Sequence, residues 1–526
     1  MPAADVSALV SDAAAQTPDR LAIVEASGRS VTWGELEDEV GRVATGLATL
    51  GVLAGSRVVM VLGNSLEFVA TYLGVLRARG VAVPVNPGAT PTELALLFAD
   101  CAPRLVVTDD HAATTVREAV DAYAATAAGQ TSLRTVVVDV ELREGERSYA
   151  ELRAMPARPT PPLLDDELLA ALLYTSGTSG LPRGVMLTHR ALMANIEQVA
   201  AVEPPMVHGD DVVLGVLPLF HVYGLNAVLG SVLRHRAKLV LADRFDPQDT
   251  LDLIDDEAIS VVPAAPPVFA HWSRVDLEGR LGPVRMVLSG SAPLSAEVIE
   301  EFGARTGVPV HQGYGLTEAA PVVTSTLCSN DPRVGSVGAP LGGIDLRLVD
   351  DDGRPVEGDD PGEIQLRGPN LFSGYWPDGA DGPDAEGWWS TGDVGFIDDR
   401  GDVVLVDRVK ELVIVSGFNV YPAEIEAVVG EVDGVRGVAA IGMPDEITGE
   451  AVLCFVVAPE RDPAAIEAAV RAACEARLAR FKVPRRIEVV AELPLTMTGK
   501  VQKGRLRGRE RRRALSLVDE PGGSVS

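Results

Sequence analysis

Apolar positions change period repeatedly along the first part of the chain. Trp33–Leu50 carries them at helical spacing, Arg57–Leu62 as a short unbroken run, Glu67–Ala78 again at helical spacing, and Val81–Val85 as a second short run. This alternation predicts parallel strands covered by helices on both faces. It resumes from about Leu168, with strands expected at Val212–Leu217, Lys238–Leu241, Ser260–Pro263, Arg285–Leu288 and Val308–His311. From Gly335 the texture becomes short strands and Asp/Gly turns, as in LRLVDDDGRPV and GFIDDRGDVVLVDR, which predict antiparallel hairpins. Beyond Arg408 it changes again: strand Glu411–Val415, helix Pro422–Val429, strands Gly437–Gly442 and Ala451–Val457, helix Pro463–Leu478. The expected fold class is therefore α/β. A large N-terminal domain, residues 1–406, holds helix-covered, mostly parallel sheets and a β-rich subdomain at about 335–406. A small α+β domain follows at 407–515, with a frayed Gly/Ser-rich tail at 516–526.

Composition narrows the function classes. The 526 residues carry 46 basic and 75 acidic side chains, a formal charge of −29, which argues against a generic nucleic-acid binder. Four cysteines, Cys101, Cys328, Cys454 and Cys474, are too sparse and scattered for a disulfide framework or a zinc site, which suits a reducing cytoplasm. The first apolar stretch has no basic residue before it, unlike a secretory signal, and no apolar run approaches the roughly 18 residues a membrane span needs. A soluble, cytoplasmic protein without a transmembrane segment is expected.

The most informative stretch is Tyr174-Thr-Ser-Gly-Thr-Ser-Gly-Leu-Pro-Arg-Gly184. Its glycines let the backbone turn tightly, so that N–H groups and the hydroxyls of Thr175, Ser176, Thr178 and Ser179 can converge on a polyphosphate. Walker-loop spacing is absent, and composition alone leaves an ordinary surface loop as an equal reading. Four further segments follow in order: Gln312-Gly-Tyr-Gly-Leu-Thr-Glu318; Trp389-Ser-Thr-Gly-Asp393; Asp407-Arg-Val-Lys-Glu411 with Gly417-Phe-Asn-Val-Tyr-Pro-Ala-Glu-Ile-Glu426; and Pro494-Leu-Thr-Met-Thr-Gly-Lys500. Together the five segments resemble the adenylate-forming superfamily of acyl-CoA synthetases, peptide-synthetase adenylation domains and luciferases. The resemblance runs from Thr17-Pro-Asp-Arg20 to Lys500.

That resemblance implies a two-step reaction using ATP, Mg²⁺ and CoA: a carboxylate displaces pyrophosphate from ATP, and a thiol then displaces AMP from the acyl adenylate. Both steps build charge on oxygens, so placed cations and N–H donors matter more than a nucleophilic side chain. By similarity, Thr175, Ser176, Gly177, Thr178, Ser179 and Gly180 hold the β and γ phosphates, with Arg183 adding positive charge where the family usually has lysine. Tyr314, within Gln312, Gly313, Tyr314 and Gly315, matches the residue that stacks on adenine, and Gly290, Ser291, Ala292 and Pro293 match the backbone on the base's other side. Thr317 matches a phosphate contact and Glu318 the Mg²⁺ ligand, an oxygen donor suited to a hard cation. Asp393 matches the acceptor of the ribose hydroxyls and Arg408 a ribose or phosphate contact. Lys410 falls at the pivot of a mobile C-terminal lid, Gly417 on the pantetheine passage, and Lys500 at the lysine that bridges carboxylate and phosphate during adenylation. Taken singly, several have ordinary readings: Asp393 as a turn Asp, Gly417 as a turn glycine, Lys500 as a solvated loop lysine.

Leu217-Pro-Leu-Phe-His-Val-Tyr-Gly-Leu-Asn226 is similar to acyl- and aryl-CoA ligases, coumarate:CoA ligases especially. The likeness puts His221 beside the substrate carboxylate and the acid's tail near Tyr223, Asn226, Gly230, residues 262–267 and Gly313–Gly315. Phe220-His-Val-Tyr lacks the Asp with which amino-acid-activating relatives pair an ammonium. Small residues and apolar flanks favour a medium- or long-chain fatty acid, with an aryl-propenoic acid as the alternative. No Asp-Ser dipeptide of the carrier-domain kind occurs, which favours free CoA over a carrier in cis and leaves a separate acyl carrier protein open. The basic run Lys503, Arg505, Arg507, Arg509, Arg511, Arg512 and Arg513 offers a contact for CoA phosphates or a lipid surface, with a solvated helix end as the default. A non-catalytic nucleotide or acyl sensor is the least favoured reading, because Glu318, Asp393, Arg408 and Lys500 are all present.

Overall fold

The structure, a computed structural model, describes the chain apart from residues 1–4, 127–132, 177–181, 292–293, 295, 334, 351–352, 357–361, 409–412, 421, 495–500, 502 and 515–526. Contacts divide it into two compact units, one of Met1–Thr175 with Pro182–Val409 and one of Ser176–Leu181 with Lys410–Ser526. Among the described residues the first unit has a seven-stranded sheet in the spatial order Arg147–Ser148, Arg134–Val137, Leu105–Thr108, Arg57–Val61, Val81–Pro84, Leu169–Ser176, Pro182–Thr188. A nine-stranded sheet runs Ala339–Pro340, Val322–Ser325, Val310–Gly315, Met286–Ser289, Val261–Ala264, Val212–Gly215, Lys238–Leu241, Leu21–Glu25, Ser30–Thr32. Its interior pairs are parallel and antiparallel pairing is confined to its two edges.

Alternation along single strands builds the layers. In Arg57–Val61, Val58 and Met60 join one core while Val59 and Val61 join another; in Lys238–Leu241, Leu239 and Leu241 face one way and Val240 the other. The shared core collects Leu36, Leu73 and Leu192 from helices Trp33–Thr49, Leu66–Arg77 and His189–Ala200, which lie between the two sheets. Helix Leu66–Arg77 is buried along its whole length, as a helix with sheets on both sides must be. Helices Pro91–Cys101 and Ala113–Ala124 cover the outer face of the seven-stranded sheet. Helices Pro247–Glu257, Pro266–Trp272 and Ala296–Thr306 cover that of the nine-stranded one. Reciprocal capping boxes, Thr32 with Glu35 and Thr90 with Glu93, fix two of the helix starts.

After Val212–Gly215 the chain adds Lys238–Leu241 on one side and then crosses to add Val261–Ala264 on the other. Such a reversal opens a crevice at the carboxyl ends of the strands, where α/β sheets take their ligands. The connection leaving Val212–Gly215 includes a π-helix, Tyr223–Gly230, which the apolar pattern did not predict. A four-stranded antiparallel sheet, Asp345–Val349, Gly362–Arg367, Trp389–Ile397 and Val403–Arg408, forms the β-rich part. Its last ladder pairs Asp393 with Arg408 and Val394 with Asp407, which holds those two residues in the first unit rather than beyond the boundary expected at 406/407.

The second unit repeats the alternation on a smaller scale. Strands Val413–Val415, Phe418–Val420, Gly437–Asp445, Gly449–Val457 and Arg486–Val489 form its sheet. Val452, Cys454 and Val456 face helices Pro422–Gly430 and Pro463–Arg477, while Leu453 and Phe455 face Leu506 of helix Lys503–Ala514.

Candidate active site

Three connections at the carboxyl edge of the nine-stranded sheet carry most of the expected site. Strand Val310–Gly315 continues past the parallel region and turns antiparallel against Val322–Ser325. That extension places Tyr314 in the core, and its hydroxyl donates to Asp393 Oδ2 at 2.7 Å. Asp393 is steadied by its own N–H, which donates to Thr391 Oγ1 at 3.0 Å. Two residues far apart in the chain, expected at the base and at the ribose of one nucleotide, thus meet directly. Gln312 Oε1 accepts from the Leu294 N–H at 3.2 Å and so ties the neighbouring connection to the same strand. In that connection Gly290 N–H donates to Ala264 O at 3.2 Å, and Ser291 holds a left-handed φ of 72°, which is uncommon for a non-glycine residue.

Glu318 lies in a short 3₁₀ turn, Thr317–Ala319, and is 9% exposed. Its Oε1 accepts from the Tyr375 hydroxyl at 2.7 Å, and its carbonyl accepts from the Phe372 N–H at 2.9 Å. Asn370 Nδ2 donates to Ala319 O at 2.7 Å and holds the turn from the same side. Arg183, on strand Pro182–Thr188, lays its guanidinium 3.6 Å from the centroid of the Tyr375 ring and pairs with Asp381 at 2.6 Å. The contact geometry that the lysine-to-arginine departure left open is therefore a planar stack plus a partly exposed ion pair.

His221 follows strand Val212–Gly215. Its Nδ1 accepts from the Tyr223 N–H at 3.3 Å, which leaves the proton of the neutral ring on Nε2. Burial pushes its pKa down to about 4, so the ring is uncharged at neutral pH. Asn64 was not singled out from sequence, yet it pins this loop: its Nδ2 donates to the carbonyls of Gly215, Leu217 and Ala242, and its Oδ1 accepts from Leu219 N–H. An Asn after a strand is too common for sequence to flag, and Tyr375 went unnoticed for a similar reason.

The glycines taken as room for an acid tail need correcting. A Cβ on Gly315 would collide with the Pro321 carbonyl, one on Gly313 would stand 2.7 Å from Thr324 O, and one on Gly230 2.8 Å from the Ile196 side chain. These glycines admit neighbouring protein, so they give no argument for a long pocket. Tyr223 fills the space beside Gly290, where a Cβ would stand 2.8 Å from its ring, and donates its hydroxyl to Leu288 O at 3.0 Å. Asn226 is 1% exposed and donates to Leu192 O and Ala320 O at 3.1 and 2.6 Å, bracing helix His189–Ala200 against the Glu318 turn. Gly417, with φ 83° after Ser416 at φ 52°, makes the two-residue hairpin turn between Val413–Val415 and Phe418–Val420, which by itself explains a glycine there.

Thr175 is buried at the end of strand Leu169–Ser176, which also includes Ser176. Gly177, Thr178, Ser179, Gly180, Ala292, Pro293, Lys410 and Lys500 lie outside the described residues, and Arg408 is described by its backbone alone. Among the described side chains of the basic run, Lys503 pairs with Glu426 at 2.7 Å and Arg509 and Arg513 with Glu488 at 3.0 and 3.3 Å, while Glu510 of the same helix pairs with Arg486. Its reading as a phosphate or lipid contact loses ground to these pairs. No described helix is long and apolar enough to cross a membrane.

Residues 10–376 match the model of the AMP-binding enzyme family, and residues 424–500 match that of the AMP-binding enzyme C-terminal domain. The chain belongs to the AMP-binding enzyme family. It is 34% identical to 4-coumarate–CoA ligase 5 of Oryza sativa subsp. japonica over 93% of this chain and 92% of that one. It is 32% identical to a long-chain-fatty-acid–CoA ligase of Bacillus subtilis (strain 168) over 96% and 94%. The solved structure of the amide bond synthetase McbA from Marinactinospora thermotolerans matches with a TM-score of 0.83 at 26% identity, over 96% of this chain and 99% of that one. As a member of this family the protein is an ATP-dependent, AMP-forming acid–thiol ligase that uses ATP, CoA and Mg²⁺. Among the described residues no group of three or more His, Cys, Asp or Glu side chains forms a metal cage. A single buried carboxylate, Glu318, fits Mg²⁺, which commonly takes one or two carboxylates together with phosphate oxygens.

Proposed function

We propose that this AMP-binding enzyme converts a carboxylic acid with an apolar, uncharged tail, a medium- or long-chain fatty acid, into its CoA thioester. The contact between Tyr314 and Asp393 carries the adenylate-forming part of this reading, because it joins an aromatic face for adenine to a carboxylate for the ribose at the sheet's carboxyl edge. The apolar flanks of residues 217–226 and the likeness to a long-chain-fatty-acid–CoA ligase support the choice of acid. In the first step a carboxylate oxygen attacks the α-phosphorus and pyrophosphate leaves. Residues 175–180 and Arg183 hold the departing phosphates, Thr317 touches phosphate, Glu318 holds the Mg²⁺, and Lys500 bridges carboxylate and phosphate. Mg²⁺ supplies positive charge to the phosphate oxygens. His221, neutral, offers Nε2–H beside the substrate carboxylate without adding a charge that would compete with Lys500. In the second step the CoA sulfur bonds to the acyl carbon, the thiol proton is released, and AMP leaves. Gly417 lines the pantetheine passage, and Lys410 is the pivot on which the C-terminal lid exchanges the two sets of contacts.

An aryl-propenoic acid is the second reading, favoured by the Tyr223 ring, whose hydroxyl is fixed on Leu288 O as a rigid flat wall. The test is incubation with ATP, Mg²⁺ and a panel of aliphatic and aryl acids, with CoA, a carrier protein or an amine as acceptor, following pyrophosphate, AMP and acyl product. Amines belong in the panel because of the likeness to an amide bond synthetase. Acid-dependent pyrophosphate with thioester on CoA is expected. Pyrophosphate without CoA thioester would move the acceptor to the carrier or the amine, and none with any acid would leave the sensor reading.

A further inference from the structure

We propose that Tyr375 is a positioning residue for the first half-reaction, setting the Glu318 carboxylate with its hydroxyl and the Arg183 guanidinium with its ring. The proposal rests on the roles given above to Glu318 and Arg183. One side chain makes both contacts: the buried hydroxyl donates to Glu318 Oε1 at 2.7 Å, and the guanidinium carbon of Arg183 stands 3.6 Å from the ring centroid. The backbone around it is tied to the same two elements. Phe372 N–H donates to Glu318 O at 2.9 Å, Trp376 N–H to Gly184 O at 2.7 Å, and Tyr375 itself bridges Val185. The tyrosine is held in turn by its N–H on Ala380 O at 3.0 Å and by the edge-to-face contact of its ring with Phe372, centroids 5.0 Å apart.

A hydrogen bond to a buried carboxylate selects its rotamer, so the oxygen offered to a cation stays in one place. A guanidinium flat on an aromatic face is oriented in the same way, and its ion pair with the exposed Asp381 is weak enough to exchange for a phosphate. The stack also gives a physical reason for arginine at 183. A planar fork covers the ring and reaches Asp381 at once, whereas an ammonium is a point charge.

The test uses the full chain with Mn²⁺ as the metal probe, measuring ATP affinity by water-proton relaxation and by calorimetry with and without metal, alongside pyrophosphate release. Tyr375→Phe keeps the ring and removes the hydroxyl. It is expected to weaken Mn²⁺·ATP binding on the order of 10-fold, the equivalent of one hydrogen bond to a charged group, while metal-free ATP affinity changes less than about 2-fold. Tyr375→Leu, which also removes the stack, is expected to weaken metal-free ATP as well. Arg183→Lys should then cost much less in the Tyr375→Leu background than in the wild type. Unchanged Mn²⁺·ATP affinity in Tyr375→Phe, or equal losses with and without metal, would overturn the proposal. If Tyr375→Leu does not fold, Tyr375→Phe still decides. A wild type that releases no pyrophosphate with any acid would sink the ligase reading instead, and the metal-dependence of ATP binding would still judge Tyr375.

Discussion

Positive charge is arranged differently around Glu318 and along helix Lys503–Ala514. Near Glu318 the guanidinium of Arg183 is oriented by the aromatic face of Tyr375, and in the loop after Val212–Gly215 His221 is kept neutral by burial. On the helix, Lys503, Arg509 and Arg513 meet Glu426 and Glu488, so the charge of these three described side chains is already answered within the same unit. A count of cations in the sequence would rank the helix first. What each cation faces reverses the order, because a cation already paired with a partly buried carboxylate is committed to the fold, whereas Arg183, whose ion-pair partner Asp381 is exposed, can exchange that weak pair for a phosphate.

The sharpest way to break that contrast is Arg183→Ala. Pyrophosphate release is expected to fall on the order of 10- to 100-fold, the range for one hydrogen bond to a charged group, with the melting temperature nearly unchanged. A loss no larger than for a helix arginine would put the two regions on one footing.

His221 gives an intermediate effect, read as stability. Its pKa falls from 6.5 to about 4 on folding, so below pH 6.5 the unfolded chain binds a proton that the native ring refuses. The stability this neutral histidine contributes is complete above pH 6.5 and drains away as pH falls toward 4. Between pH 7.5 and 5 one such group accounts for on the order of 2 kcal/mol. Urea unfolding of the wild type and His221→Gln at both pH values isolates this share, and parallel pH dependences would show that the ring is not held neutral.

The smallest effect belongs to the helix. Arg509→Ala and Arg513→Ala, alone or together, are expected to change stability by about 0.5 kcal/mol or less per site and to leave the KM for CoA unchanged. A several-fold rise in that KM would restore the phosphate-contact reading of the basic run.

Much of the fold was legible in the sequence because burial is periodic. Lys238–Leu241 was placed residue for residue, and the Trp33, Leu66 and Val81 elements within a residue or two, since alternation and helical spacing record which face is dry. Strand Val310–Gly315 was read too short because its last residues pair with Val322–Ser325, a partner that local pattern does not announce. The π-helix was missed because its sequence is as apolar as any buried helix.

The site divides along the same line. Motif order by itself determined the family and the reaction class, and it named Tyr314, Glu318, Asp393 and Arg183 as candidates, because each residue type suits one part of that chemistry. Only the tertiary structure decided what these residues touch. Tyr375 reaches Glu318 from 57 positions away, and Gly313 and Gly315 are glycines because the carbonyls of Thr324 and Pro321 occupy the space. A sequence records which side chains are present and how they are spaced along one chain. Contacts between distant segments, and the volumes already filled, exist only once those segments have packed.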